Sequence, residues 1–219
     1  MRNHIRIGTR KSALALWQSE YVKSELQRLY PGVTVELVHF NTKGDRILNK
    51  PLAEVGGKGL FTAELEAAMH AGDIDIAVHS LKDMPTELPD GLTLGAISKR
   101  EVPFDALVSP TYKTLDQLPE GARIGTSSLR RQAQLLHRRP DLQIEVIRGN
   151  VQTRLGKIET EGLDGVVLAQ AGLKRLGLDD RITQVFTADE MIPAVGQGAL
   201  AIECRSDDTE MLEILSKID

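Results

Sequence analysis

Short apolar runs alternate with helix-like segments along almost the whole chain, and this alternation limits the fold more than any other feature. Strands are predicted at IRIG, VTVELVHF, IDIAVHS, LTLGAI, ALVS, ARIGT, IEVI and GVVLA, with one more in the last segment, AVGQGALAIECRSDDTEMLEILSKI. Helices are predicted at Ala13 to Leu29, about 61–70, near 128–139, 150–161 and 169–177, and after a cap near Ser206 or Asp207. Strands that alternate with helices indicate an α/β fold with parallel sheets and helices on both faces.

The strand pattern restarts at Asp105, which predicts a second sheet. If the strand of the last segment returns to the first sheet, the chain forms two lobes joined by crossing segments. We predict one domain of residues 1–98 plus 199–219 and a second domain of residues 99–198, inserted into the first. Ligands of such folds bind beyond the carboxyl ends of strands, here in the cleft between the lobes.

Composition excludes several classes of function. The net charge of -4 argues against a general nucleic-acid binder. No apolar run approaches the roughly 20 residues of a membrane span, and Arg6, Arg10 and Lys11 interrupt any signal-peptide core. The single cysteine, Cys204, excludes an internal disulfide and a multi-cysteine metal site, and its apolar strand predicts a buried side chain. We therefore expect a cytoplasmic monomer without a metal that binds neither nucleic acid nor membranes.

The stretch IGTSSLRRQAQL places two arginines in the first turn of a predicted helix, where the helix dipole disfavours them. With Ser127 as the N-cap, Arg130 and Arg131 occupy the third and fourth helical positions. Free backbone N–H groups there, with the hydroxyls of Thr126 and Ser128, form an anion site. Guanidinium groups suit carboxylate or phosphate. An anion from outside the chain explains this arrangement, and two solvated arginines are the alternative.

A second strand-to-helix turn, RGNVQTR, is also basic. Arg148 follows the strand IEVI, and Arg154 lies just inside a helix that starts near Asn150. Two turns of one sheet therefore direct basic groups to the same edge. Exposed ion pairs contribute only about 0–1 kcal/mol each and explain this clustering poorly. We predict a polyanionic ligand, whereas Arg138 and Arg139 are expected to be surface residues.

The segment AVHSLKDMP follows a strand predicted to be buried, so its polar residues are expected at the carboxyl end of that strand. Lys82 suits an anion, and Asp83 suits a cation or N–H donors. A solvated turn closed by Pro85 is the alternative. Ser80 lies in the same turn, and His79 is expected to be a structural hydrogen-bonding residue rather than a metal ligand.

Two further segments are glycine-rich or basic. GTRKS places Arg10 and Ser12 at the N-terminus of the first long helix, which is again favourable for an anion. VGGKGLF contains Lys58 but fails the spacing of a phosphate-binding Walker loop. We interpret this segment as a mobile cover over the cleft.

Seven motifs occur in the order of one known family and cover nearly the whole chain. They are GTRKSALALWQ, VGGKGLFTAELE, DIAVHSLKDMP, GTSSLRRQAQL, RGNVQTRL, LAQAGLKRLG and PAVGQGALAIECR. Together they resemble the porphobilinogen deaminases (hydroxymethylbilane synthases), transferases of porphyrin and heme biosynthesis. The resemblance implies two lobes like those of periplasmic binding proteins around a cleft. It also implies the condensation of four porphobilinogen units into a linear tetrapyrrole, with loss of ammonia, on a covalently held dipyrromethane.

The resemblance also implies roles for individual residues. Asp83 corresponds to the catalytic carboxylate, which is expected to stabilise cationic pyrrole intermediates. The residues expected to bind the dipyrromethane cofactor are Ser80, Lys82, Asp83, Thr126, Ser127, Ser128, Arg130 and Arg131. Those expected to bind porphobilinogen and the growing chain are Arg10, Ser12, Arg148, Arg154, Gln197 and Lys58.

The chain departs from the family pattern at its end and in one loop. The family attaches its primer through a cysteine in a third domain, whereas this chain ends at Asp219 and Cys204 does not match that position. We therefore expect that the family's third domain and anchor cysteine are absent here and that activity is at best very weak. Glu54 stands in the cover loop where relatives often have a basic residue. The alternative function is a two-lobed module that binds a polyanion without catalysis.

Overall fold

The computed structural model describes residues 2–46 and 59–218. The candidate residue Lys58 and the departure at Glu54 lie outside the described residues. Of the residues described, 2–46, 59–100 and 199–218 form one compact unit (unit 1) and 101–198 form another (unit 2). Within the described residues, the chain passes from unit 1 to unit 2 after residue 100 and returns to unit 1 at residue 199.

Each unit is built from one sheet and its flanking helices. The strands are β1 (His4–Arg10), β2 (Thr34–Phe40), β3 (Ile76–Ser80), β4 (Leu92–Ile97), β5 (Asp105–Val108), β6 (Arg123–Gly125), β7 (Gln143–Glu145), β8 (Gly165–Ala169), β9 (Gln184–Val185) and β10 (Leu200–Arg205). The α-helices are α1 (Ala13–Leu29), α2 (Lys43–Arg46), α3 (Ala63–Ala71), α4 (Leu129–Arg138), α5 (Val151–Thr160), α6 (Gln170–Arg175) and α7 (Thr209–Leu215). Short 3₁₀ turns cover Leu81–Asp83, Leu115–Gln117 and Asp179–Arg181.

The sheet of unit 1 has the strand order β2-β1-β3-β10-β4. Strand β1 runs parallel to β2 and β3, whereas β10 runs antiparallel to both β3 and β4. The predicted return of the last strand to the first sheet is therefore confirmed. The prediction of an entirely parallel sheet is wrong, because β10 enters the sheet in the opposite direction.

The sheet of unit 2 has the order β7-β6-β8-β5-β9 and is also mixed. Strand β6 is parallel to β7 and β8, while β5 is antiparallel to β8 and β9. Strand β9 has only two residues and was not predicted from the sequence. Because β5 runs against β8, its first residue, Asp105, lies opposite Ala169, the last residue of β8. This places Asp105 at the edge where the parallel strands end.

Helices cover both faces of each sheet, as predicted. In unit 1, α1 and α7 contribute Val22, Leu26 and Met211 to one core layer, and α3 contributes Leu65 and Met69 to the layer on the other face. In unit 2, Leu135 of α4 packs in one layer, whereas α5 and α6 supply the other. The cores are mainly aliphatic, which agrees with the low aromatic content of 4%.

Side-chain caps fix where several helices begin. Ser12 accepts a hydrogen bond from the Ala15 backbone N–H at 3.3 Å, so the predicted start and end of α1 are confirmed. Helix α4 is capped by Ser128 instead of Ser127, and α7 by Asp208 instead of Ser206 or Asp207. For α4 and α7, adjacent Ser or Asp residues can each form the cap, and the local sequence does not show which of them does so.

A buried carboxylate stabilises unit 1 at the edge opposite the predicted functional residues. Asp75, directly before β3, accepts hydrogen bonds from the Arg6 backbone at 2.8 Å and from the Arg6 guanidinium at 3.0 and 3.1 Å. Arg2 and Arg205 lie 3.4 and 3.5 Å from the same carboxylate. Burial alone would raise the pKa of Asp75, but the hydrogen bonds and charges of Arg6 and Arg2 lower it below its ordinary value.

No helix of the described part of the chain combines the length and the apolar character needed to cross a membrane.

We predict that Asp75→Asn lowers the free energy of unfolding by about 1–3 kcal/mol at pH 7, because hydrogen bonds to a charged group are lost. A carboxyl whose pKa is lowered on folding stabilises the protein above its unfolded pKa, about 3.9, and loses this effect as the pH falls through the folded pKa. The difference between parent and variant in urea unfolding should therefore shrink below about pH 4. The control is Glu25→Gln, which removes a half-buried partner of the exposed Arg28 and should change the free energy of unfolding by at most about 1 kcal/mol. A difference independent of pH would contradict the assignment.

Candidate functional site

The carboxyl ends of β1 and β3 lie side by side in unit 1 and bring together residues distant in the sequence. Arg10 ends β1, and Ser80 ends β3. The Ser80 hydroxyl accepts a hydrogen bond of 2.9 Å from Gln18 of α1, which ties the helix to this edge. A small recess, open to solvent, lies here. It is lined by Arg10, Ala15, Gln18, Phe61, Thr62, Val78, His79, Ser80 and Asp83.

Lys82 and Asp83 belong to the 3₁₀ turn Leu81–Asp83 that follows β3 directly. The Leu81 N–H donates to the Ala199 carbonyl at 3.0 Å, and the Met84 N–H closes the turn on the Leu81 carbonyl at 3.1 Å. Asp83 is exposed and borders the recess, while Lys82 is half-buried. The backbone therefore fixes an accessible carboxylate at the mouth of the recess, with an ammonium group on the adjacent residue.

Arg10 is held at the recess by an aromatic ring. Its guanidinium lies 4.6 Å from the centre of the Phe61 ring, within the range of a cation–π interaction. The same ring packs against Gly44, where a Cβ atom would clash with it. Sequence reasoning found Arg10 but not Phe61, since a lone apolar residue in a glycine-rich segment carries no signal of its own.

Behind the recess, His79 pairs with a carboxylate from the returning strand. The His79 Nε2 atom lies 3.1 Å from Glu203, whose side chain is fully buried in β10. Within residues 2–46 and 59–218, the second Glu203 oxygen, Oε1, has no hydrogen-bond partner. His79 is therefore a buried hydrogen-bonding residue at the recess, and its partner is 124 residues away in the chain.

In unit 2, the turn after β6 carries the hydroxyl residues of the predicted anion site. The Thr126 N–H donates to the Glu145 carbonyl of β7 at 2.9 Å, and the Thr126 hydroxyl accepts from the Ser128 N–H at 3.2 Å. Ser127 lies between them and is half-buried. With Ser128 as the N-cap, Arg130 and Arg131 occupy the second and third helical positions, one earlier than predicted.

Both arginines bind a carboxylate of the chain itself. Asp105 is fully buried, and its Oδ1 atom accepts hydrogen bonds from Arg131 Nε at 3.0 Å and Nη2 at 2.8 Å. Its Oδ2 atom lies 2.7 Å from Arg130 Nη1. Neither alternative considered from the sequence, an outside anion or two solvated arginines, included this internal partner, and binding of an outside anion by the two arginines stays a prediction. Sequence reasoning missed Asp105.

The Asp105 carboxylate is ionised in this environment. Burial would raise its pKa, but the charges of Arg131 and Arg130 and their hydrogen bonds lower the pKa below its ordinary value. Arg131 is also buried, and its Nη1 donates to the Val167 carbonyl at 3.0 Å. Arg130 is different, since 26% of its side chain remains exposed while Nη1 also donates to the Ile192 carbonyl at 2.6 Å.

Gln197 joins the same cluster. Its side-chain amide donates to Asp105 Oδ1 at 3.0 Å and to the Pro103 carbonyl at 2.6 Å. Its role in substrate binding stays a prediction. The contact it makes in the structure is with the carboxylate that holds the arginines.

The second basic turn of unit 2 follows β7, the neighbour of β6, so both turns lie at one edge of the sheet, as predicted. Arg148 is buried in this turn, and Asn150 caps α5 by accepting the Thr153 N–H at 2.8 Å. Arg154 is half-buried and donates to the Gly149 carbonyl at 2.8 Å.

The other arginines of this region also pair with acidic residues of the chain. Arg138 contacts Asp116 and Glu190, and Arg139 donates to Asp141 at 2.6 Å. Arg123, at the beginning of β6, pairs with Glu145 at 3.0 Å.

The thiol of Cys204 is fully buried in β10, and burial raises its pKa to about 11. The interpretation of this residue as a small core residue is therefore confirmed. Among residues 2–46 and 59–218, no group of three or more His, Cys, Asp or Glu side chains could hold a metal ion.

Comparison with known protein families assigns residues 5–213 to the family described as "Porphobilinogen deaminase, dipyromethane cofactor binding domain". The chain is 59% identical over 214 residues to the porphobilinogen deaminase of Syntrophotalea carbinolica, covering 98% of this chain and 68% of that protein. It is 60% identical over 207 residues to that of Geotalea uraniireducens, covering 94% and 65%. The chain thus spans about two thirds of the length of the curated relatives it matches.

Among solved structures, the chain is similar to a nutrient-binding protein from Burkholderia cenocepacia bound to methionine, with a TM-score of 0.61 and 15% identity. The alignment covers 98% of this chain and 90% of that protein. It is also similar to the methionine-binding protein MetQ, with a TM-score of 0.59 and 18% identity over 99% and 89% of the two chains. This likeness shows the fold class alone, which is the binding-protein-like α/β fold predicted from the sequence.

The contacts around Asp105 generate a prediction for Gly198, the neighbour of Gln197. Gly198 has φ +97°, and an added Cβ atom would clash with the Glu101 carbonyl. Gly177 has φ +66° with open space around it and serves as the matched control. Alanine at either position costs about 1–2 kcal/mol of backbone strain, and overpacking should cost Gly198→Ala about 1–3 kcal/mol more. Equal losses for the two variants in urea unfolding would contradict the close backbone approach.

Proposed function

The chain belongs to the porphobilinogen deaminase family, and we propose that it binds porphobilinogen and joins such units into a linear tetrapyrrole with release of ammonia. The observation that carries this proposal is the exposed carboxylate of Asp83 at a recess that also contains Arg10. A carboxylate can stabilise a cationic pyrrole, and a guanidinium can bind the acetate or propionate group of the same molecule. The geometry thus combines the two kinds of interaction that this substrate needs.

We infer that each unit by itself offers donors for acetate and propionate groups such as those of a dipyrromethane. In unit 2, the donors that can bind a carboxylate are the exposed part of Arg130 and the backbone N–H groups at the N-terminus of α4. In unit 1, they are Lys82 and the hydroxyl of Ser80. When bound, the cofactor supplies the pyrrole carbon at which the new bond forms. The donors of unit 2 are supported by four neighbouring residues, namely Thr126, Ser127, Ser128 and Arg131. Of these, Arg131 lies within the core.

Asp83 acts on charge that develops in the substrate. The bond between the methylene carbon and the protonated amino group (–NH3+) breaks, ammonia leaves with the electron pair, and the positive charge passes to the pyrrole that remains. An ionised carboxylate at the pyrrole N–H group stabilises this cation more than it stabilises the neutral ground state, which lowers the barrier. The carboxylate can also receive the proton that is lost when the new carbon–carbon bond forms.

The remaining substrate-binding assignments follow the same reasoning. Arg10 and Ser12 in unit 1, and Arg148 and Arg154 in unit 2, follow the carboxyl ends of their strands and supply donors for carboxylates. Units 1 and 2 are taken as the two domains, with boundaries near residues 98 and 198. The proposal describes a monomer that acts in the cytoplasm.

Asp83→Asn tests the catalytic role. We expect porphobilinogen binding, measured by calorimetry, to stay within about threefold of the parent chain, whereas ammonia release falls by at least about 100-fold, as for other removed charge-stabilising groups. Asp90→Asn, an exposed carboxylate in the same loop, is the matched control and should leave both quantities unchanged.

The outcomes separate the candidate functions. Ammonia release by Asp83→Asn at the parental rate would refute the role of this carboxylate. Porphobilinogen binding without any ammonia release by the parent chain would favour the alternative, a module that binds a polyanion without catalysis. Absence of binding would contradict both functions for this chain.

The state of Cys204 predicts how the 219-residue chain responds to its substrate. A fully buried thiol with a raised pKa is a poor nucleophile, so it should not carry a dipyrromethane. We expect an unchanged intact mass after incubation with porphobilinogen. A mass increase equal to a dipyrromethane that Cys204→Ser abolishes would overturn this expectation.

A further inference from the structure

We infer that Asp105 is a positioning residue, which orients Arg130 towards the carboxylates of the ligand. The inference rests on the proposed function, since it concerns how the same anion site is built. Asp105 is not adjacent in the sequence to either of the predicted basic turns. It is separated by 26 residues from Arg131 and by 92 residues from Gln197.

The two oxygens of Asp105 divide the neighbouring donors between them. Oδ1 accepts two hydrogen bonds from Arg131 and one from Gln197, at 2.8 to 3.0 Å. Oδ2 forms an ion pair with Arg130 Nη1 at 2.7 Å, without a well-aligned hydrogen bond. A carboxylate has about four acceptor positions, so one fully buried group can bind all three side chains at once.

The two arginines therefore differ in function although they are adjacent in the sequence. Arg131 is 5% exposed, and its contacts with Asp105 and the Val167 carbonyl lie inside the unit. Arg130 keeps 26% of its side chain exposed and is fixed at Nη1 between Asp105 and the Ile192 carbonyl. We assign ligand contact to Arg130 and a supporting role to Arg131.

Two opposite effects of Asp105 on anion binding have to be weighed. Its negative charge repels an anion, so its removal could strengthen binding. However, Arg131 already neutralises this charge at 2.8 Å, and the two together present almost no net charge to a ligand. Removal also frees Arg130 to rotate, and a flexible arginine loses conformational freedom when it binds. We therefore expect the loss of orientation to dominate.

A double-mutant cycle tests the inference, with a synthetic dipyrromethane that carries acetate and propionate groups as the probe. Calorimetry should show about tenfold weaker binding for Arg130→Gln, Asp105→Asn and the double variant alike, because each loses the same oriented guanidinium. A purely structural residue would instead give multiplying losses. Asp141→Asn, which removes the partner of Arg139 near the other end of α4, is the matched control and should bind within twofold of the parent chain.

A further variant deals with the buried charge. Asp105→Asn alone leaves Arg131 buried without its carboxylate and can unfold the chain. Asp105→Asn combined with Arg131→Met removes both charges, and urea unfolding checks that the product is folded. The inference requires this variant to bind the probe about tenfold more weakly than the parent chain.

The result also shows which idea has failed. Parental or tighter binding by the Asp105→Asn/Arg131→Met variant, while Arg130→Gln weakens binding, overturns the positioning role and leaves the proposed function intact. Multiplying losses in the cycle overturn it in the same way. A parent chain that does not bind the probe contradicts the proposed site itself and the inference with it.

Discussion

The buried ion pair between Asp105 and Arg131 is the constraint on which unit 2 depends. It joins the first residue of β5, the first turn of α4 and, through Gln197, the segment that leads back to unit 1. A buried pair of this kind adds little net stability compared with well-packed apolar side chains, but removal of one partner costs about 3–5 kcal/mol. Its effect is therefore on specificity, because arrangements that separate these segments leave a charge buried and unpaired.

Both sheets place a buried carboxylate in the same way. In each sheet, one strand runs antiparallel to both of its neighbours. In unit 1 this is β10, between β3 and β4, and in unit 2 it is β5, between β8 and β9. β10 supplies Glu203 to His79, and β5 supplies Asp105 to the arginines of α4. Local strand ends thus carry the residues predicted to bind a ligand, and the reversed strand of each sheet carries a buried acid that pairs with a nearby side chain.

The sequence predicted the features that depend on local signals. The cap at Ser12, the bounds of α1 and the position of Asp83 after a buried strand follow from periodicity and capping, which involve residues a few positions apart. The directions of β5 and β10 depend on contacts between distant segments, and no local pattern encodes them. If β5 is assumed to run parallel to β8, Asp105 lies at the opposite edge of the sheet, and its contact with Arg131 cannot be predicted.

The same limit applies to the pair Arg130 and Arg131, where the sequence offers two alternatives, a ligand site or two solvated side chains. Adjacent residues of a helix point about 100° apart, so one can face the core while the other faces the edge of the sheet. The helix dipole disfavours both charges at this end, and the buried carboxylate offsets that cost for both arginines. Arg131 is held inside the unit. Arg130 contacts the Asp105 carboxylate and the Ile192 carbonyl, and these two contacts explain why it occupies an otherwise unfavourable position. They fix Arg130 at the edge where the parallel strands end. An arginine held in this way is oriented before any ligand arrives, and this is what a carboxylate-binding site requires.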